Sequence, residues 1–146
     1  MTVHLLKMCV GIDSIDHLLR RQAERLEAQR AAGQAAKLCH WTRNMPRRAA
    51  EIEGEGSIYW IIRGRIRARQ LIVSLERDDD PNAIKRCAVV LDPEVVETEA
   101  RRARPMQGWR YLEANDAPAD LGRQVIDHEY EMPTQMIAEL RELGLI

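Results

Sequence analysis

Arginine recurs at every second position through Arg63, Arg65, Arg67 and Arg69, inside the stretch SIYWIIRGRIRARQLIVSL from Ser57 to Leu75. In an extended strand, side chains two apart share a face, so this spacing aims up to four guanidinium groups one way; a helix would scatter them. No Asp or Glu occurs between Ser57 and Leu75. A second acid-free run, Arg101 to Arg110, contributes Arg101, Arg102, Arg104 and Arg110 with Trp109, and Tyr111 follows directly. Five of the six aromatic residues lie between Trp41 and Tyr111, among these arginines. Guanidinium groups that hold phosphates, interleaved with rings that stack on bases, suit a single-stranded nucleic acid or a splayed base. The competing reading is a sheet with one solvated polar face, its arginines neutralised by acids of the GEG and DDD turns. For the arginines, and for Trp109 and Tyr111, both readings stay open. Trp60, between Tyr59 and Ile61, is assigned to the core.

Other chemistries have thinner support. Cys39 and His40 are adjacent, so a strand points them to opposite faces, and no second paired motif follows. No metal site is expected. GEGS lacks the glycine count and the following Lys of a phosphate loop, and no Ser sits in a nucleophile elbow. His40 or Glu51 could act as acid or base near the arginines, but their spacing carries no specificity. Whether the protein is an enzyme is therefore left open, and no cofactor is expected.

A chain of 146 residues, 45% hydrophobic and 31% charged, fits one soluble domain over 1–146. The net charge of −1 hides a gradient: residues 1–39 carry +2, residues 40–112 carry +3 and residues 113–146 carry −6. Basic charge is thus central, and the acidic segment 113–146 offsets it. Three cysteines without a CxxC fit a reducing cytoplasm. No apolar stretch approaches the ~20 residues of a membrane span.

The positioning elements follow from periodicity and punctuation. Val3–Val10 reads as a strand, and Asp13 or Ser14 caps a helix that fades near Gly33, with Arg20 and Glu24 spaced to pair. Lys37–Arg43 reads as a strand and Arg47–Ile52 as a short helix behind Pro46. In the central stretch Ile58, Trp60 and Ile62 share one parity but Leu71, Val73 and Leu75 the other. That predicts a turn or bulge near Gly64 and an irregularity near Gln70. DDDPNA is a turn, Ile84–Leu91 a strand and Val95–Thr98 an edge strand, and Pro118 and Gly122 mark a long loop. Met136, Ile137, Leu140 and Leu143 line a short C-terminal amphipathic helix. The expected class is α+β, a mostly antiparallel, curled sheet or small barrel with two or three flanking helices.

MTVHLLKMCVGIDSI, HWTRNMP, GSIYWIIRG, ARQ, RCAVVLDPE and PMQGWRYL together resemble the domain of unknown function family 1489, uncharacterised alphaproteobacterial proteins, over nearly the whole chain. That resemblance implies no activity. MPRRAAEIEGEGSIYWIIRG is also similar, more loosely, to PUA-like barrels such as the ASCH and EVE domains, where a short helix leads through a Gly turn into a strand pair. That likeness implies RNA or modified-base binding in a cleft beside Arg47, Arg48, Tyr59, Trp60, Arg63 and Trp109. The resulting expectation is a nucleic-acid-binding module for RNA, an exposed base or a nucleotide-like polyanion. Its candidate residues are Arg47, Arg48, Tyr59, Arg63, Arg65, Arg67, Arg69, Arg102, Trp109 and Tyr111. The alternatives are a protein-interaction domain forming a homodimer, and a small enzyme acting on a nucleotide or modified base.

Overall fold

Eight strands and two α-helices occupy the residues that the computed structural model describes: 2–77, 86–104 and 106–124. They are β1 (Val3–Met8), α1 (Ile15–Ala31), β2 (Leu38–Thr42), α2 (Ala49–Ile52), β3 (Ser57–Ile62), β4 (Arg65–Arg77), β5 (Cys87–Leu91), β6 (Val96–Arg102), β7 (Trp109–Glu113) and β8 (Asp120–Gln124). The strands form one unclosed mixed sheet in the order β2-β5-β4-β3-β1-β7, with β6 beside β4 and β8 beside β6. Every pairing is antiparallel except β1 with β3, whose long connection carries α1, β2 and α2. The class is α+β, as the sequence indicates.

Local chemistry explains the element ends. Ser14 Oγ accepts the His17 N–H at 3.0 Å and caps α1, while Asp16 occupies its first turn and Arg30 its last. Ile15, Leu18 and Gln22 form its buried stripe. Arg20 turns back to Asp16 at 3.5 Å instead of forward to Glu24, placing the acid nearer the helix N-terminus. Gly56 closes the turn into β3 where backbones nearly touch: a Cβ there would lie 2.2 Å from the Val3 carbonyl oxygen.

β3 and β4 join through Arg63-Gly64, with φ of 51° and 76°, the left-handed pair that a two-residue type I′ hairpin demands. The expected irregularity near Gln70 is two register shifts flanking it, one at Arg67 and one at Val73. Ile66, Ala68, Gln70 and Ile72 are buried, and only past the Val73 shift does burial change parity, at Leu75. Val73 is thus 48% exposed, not a core residue, because the bulge rather than the turn changes the phase.

The main core packs α1 against one sheet face, with Ile15, Leu18, Ile52, Ile58, Trp60, Ile72 and Val89 among its members. The sheet curls strongly. His40 of β2 and Trp60 of β3 meet edge-on with centroids 5.3 Å apart, although β5 and β4 separate their strands in the sheet. In a flat sheet three strand spacings would hold them ~14 Å apart. Within this core the Gln70 amide makes four hydrogen bonds: two with the Gln22 amide, one from Trp60 Nε1 and one to the Asp92 carbonyl. A smaller cluster of Tyr59, Ile61, Ile66 and Leu112 lies on the opposite face.

Two expected segments differ. The edge strand at Val95–Thr98 is longer, Val96–Arg102, and interior, because β8 covers its outer side. That strand lies in the stretch expected to be a loop, where Pro118 and Gly122 suggest irregular backbone but leave the edge of β6 to be paired. The DDDPNA turn and the C-terminal amphipathic helix fall outside the described residues.

Candidate nucleic-acid interface

The pairing of β4 with β6 joins the two acid-free arginine runs. Arg65 stands directly opposite Arg102, and Ile66 opposite Arg101. The Ala103 N–H donates to the Gly64 carbonyl at 3.0 Å, so the hairpin tip and the segment leading to Arg104 are held together. Arg63, Arg65, Arg67, Arg101, Arg102 and Arg104 therefore belong to one end of the sheet. Among the described residues, Arg63 is the only one of these six that reaches a carboxylate, Asp13 at 3.7 Å with both groups largely exposed. Arg101 Nη1 donates to the Asp116 backbone carbonyl. Arg101 and Arg104 lie in the second acid-free run, but strand pairing alone sets their neighbours.

The alternating row does not stay on one face. Arg67 is the extra residue of a bulge, so Arg69 pairs with Tyr59 while Arg65 pairs with Ile62. Tyr59 and Ile62 project from opposite faces, and Arg65 and Arg69 follow them. Arg69 is committed internally: it grips Asp120 of β8 through two bonds of 2.7 Å and donates to Ser57 Oγ at 3.0 Å. The guanidinium holds the Asp120 carboxyl below its usual range through these hydrogen bonds. Arg69 thus fastens the last described strand.

The remaining candidates cluster elsewhere. Arg48 donates to both oxygens of Glu51 and to Glu113, lies 5.5 Å over the Tyr111 ring, and lowers the Glu51 pKa through its hydrogen bonds. Glu51 is accordingly an ion-pair partner. Trp109 and Tyr111 meet edge-on at 5.0 Å, and Trp109 Nε1 and Tyr111 Oη bond the Asn44 carbonyl and the Arg48 N–H. These rings pin the segment between β2 and α2. Tyr59 is 4% exposed, and burial raises its pKa, so it sits inside the smaller cluster rather than on a surface. Arg47 is exposed beside Arg48. Glu113, the partner of Arg48, pairs with Val3, whereas Met8 at the other end of β1 pairs with Ile61 next to the hairpin. Five strand steps, ~17 Å, separate these ends, so Arg47 and Arg48 do not join the arginines around Arg65.

Among the described residues, no group of three or more His, Cys, Asp or Glu is placed to hold a metal ion. No helix among them is long and apolar enough to cross a membrane.

The class these features define is an α+β protein whose curled mixed sheet carries an arginine-rich end. The chain belongs to the family described as Protein of unknown function (DUF1489), which matches residues 5–146. No curated protein and no solved structure matches it.

Proposed function

We propose that this protein is a nucleic-acid-binding module that takes a phosphate backbone, RNA first, at the β4–β6 end of its sheet. The observation that carries this reading is Arg65 facing Arg102 across the strand pair. Like charges directly opposite in a sheet destabilise it, and a bound polyanion reverses the sign of that interaction. Trp109 and Tyr111 are engaged in pinning the segment between β2 and α2, so recognition rests on phosphate contacts rather than stacking. A cytoplasmic setting suits the three free thiols of Cys9, Cys39 and Cys87. A PUA-like architecture is part of this proposal, and what supports it is the curl of the sheet with α1 on one face.

Titration of labelled single-stranded RNA from about 50 to 200 mM salt tests the reading. Binding should weaken steeply with salt, and Arg65→Ala with Arg102→Ala should reduce the log–log slope by about 1.4, at ~0.7 per lost phosphate contact. Arg47→Ala, at the other end of β1, should leave the slope unchanged. Absence of binding at the lowest salt, or a slope insensitive to the Arg65 and Arg102 changes, refutes the proposal. A salt-resistant dimer that buries these arginines would replace it with an assembly role.

A further inference from the structure

A cavity of about 120 Å³ lies between α1, the C-terminal end of β1 and β2, and it is separate from the arginines of the β4–β6 pair. Its apolar wall includes Leu18, Leu38, Trp60 and Leu91, and its polar wall is cationic: Lys7, Arg21 and Arg25, with no Asp or Glu. Arg21 and Arg25 are exposed and four apart on α1, a like-charge spacing that costs a helix a few tenths of a kcal/mol. Among the described residues, none of these three cations pairs with a carboxylate.

His40 also lines the cavity, and its Nε2 is the one buried side-chain nitrogen or oxygen among the described residues without a hydrogen-bond partner. Burial, followed by the fields of Lys7 and Arg25, pushes this imidazole down to about 4. The group is neutral at pH 7, and its unmatched nitrogen needs a partner that the protein does not supply.

We propose that this cavity binds a ring-sized organic monoanion, an aromatic or heteroaromatic carboxylate, with its ring between Trp60 and the leucines. Its carboxylate lies toward Lys7, Arg21 and Arg25, two of which, Lys7 and Arg25, set the field at the buried His40 imidazole. The volume sets the size, since an apolar cavity of ~150 Å³ takes one benzene ring. A nucleotide is too large for the interior. The charge selects an anion: an uncharged ring would leave three cations unanswered, and an inorganic ion would leave the apolar wall uncovered.

The test uses the full chain with benzoate and nicotinate as probes, benzamide and nicotinamide as their uncharged isosteres, and inorganic phosphate as an anion without a ring. Binding is read by intrinsic tryptophan fluorescence and by the NMR titration of the His40 imidazole. At least one acid should bind tenfold or more tightly than its amide and than phosphate, and should raise the His40 pKa toward neutrality by offsetting the Lys7 and Arg25 fields. Arg25→Ala, an exposed change, should weaken that acid about tenfold while leaving the fold intact. Equal binding of acid and amide, phosphate binding as tightly as either acid, an unmoved His40 titration, or indifference to Arg25→Ala would each overturn the assignment. RNA binding by the β4–β6 arginines is measured separately and can succeed or fail independently.

Discussion

Replacing Gln70 by Leu removes the polar hub of the core at nearly constant volume. Gln70 is fully buried, and its amide satisfies Trp60 Nε1 at 2.9 Å, the Asp92 carbonyl at 3.1 Å and the Gln22 amide at 2.7 and 2.9 Å. Gln70→Leu leaves the buried Trp60 Nε1 and Gln22 amide and the part-buried Asp92 carbonyl without their partner, each costing about 1–3 kcal/mol. Some of that loss is offset by the burial of the leucine methyls, giving a net destabilisation of about 3–5 kcal/mol. Against a total of about 5–15 kcal/mol for a domain, urea unfolding should show a large fall in midpoint at unchanged slope. Gln22→Leu in the same chain removes the amide that Gln70→Leu strands. The double variant should therefore be about 1–2 kcal/mol more stable than Gln70→Leu alone. A single variant within about 1 kcal/mol of wild type, or a strictly additive cycle, would refute the account of the network as a coupled unit.

Two further outcomes follow from the same packing. His40 takes up its proton at about 4 when folded and near the ordinary imidazole value when unfolded. Between those values the unfolded chain holds the extra proton, so stability falls as pH drops from ~6.5 to ~4, by up to about 3 kcal/mol. The His4 pKa is also lowered, by burial and then by Arg69, and adds to the loss in that window. Urea midpoints at pH 7 and 4.5 should diverge less in His40→Gln than in wild type, and equal divergence would contradict the burial of that imidazole. Gly56→Ala drives a Cβ to 2.2 Å from the Val3 carbonyl oxygen and 3.1 Å from that of Ile52, both backbone atoms. We expect a loss of about 2 kcal/mol or more, and a thermal midpoint within a degree of wild type would show that the turn relaxes freely.

Much of the fold was legible because it depends on near neighbours. The Ser14 cap, the α1 stripe, the Arg63-Gly64 breaker and the Cys87–Leu91 apolar run all act over a few residues. β8 was not legible, since Asp120 and Leu121 carry no strong alternation and form a strand by covering an edge far away in sequence. At the candidate interface, the arginine runs could be read from composition, but their grouping could not. Period-two spacing promised one face for Arg63 to Arg69, and a single bulge at Arg67 divided them. Arg69 was lost to Asp120, a partner 51 residues away. The cavity around His40 left no local trace, because Lys7, Arg25, His40 and Trp60 come from four elements that meet only when the sheet curls.

The amino-acid order by itself determined the α+β class, the hairpin at Gly64, the main helix and the presence of two acid-free basic runs. Each arises from short-range sterics, from periodic burial or from composition. Tertiary structure alone decided which arginines stand together, which are tied to carboxylates, and that a buried imidazole lies beside a cationic hollow. Those outcomes depend on strand pairing and sheet curvature, which couple residues tens of positions apart through hydrogen bonds that local spacing does not encode.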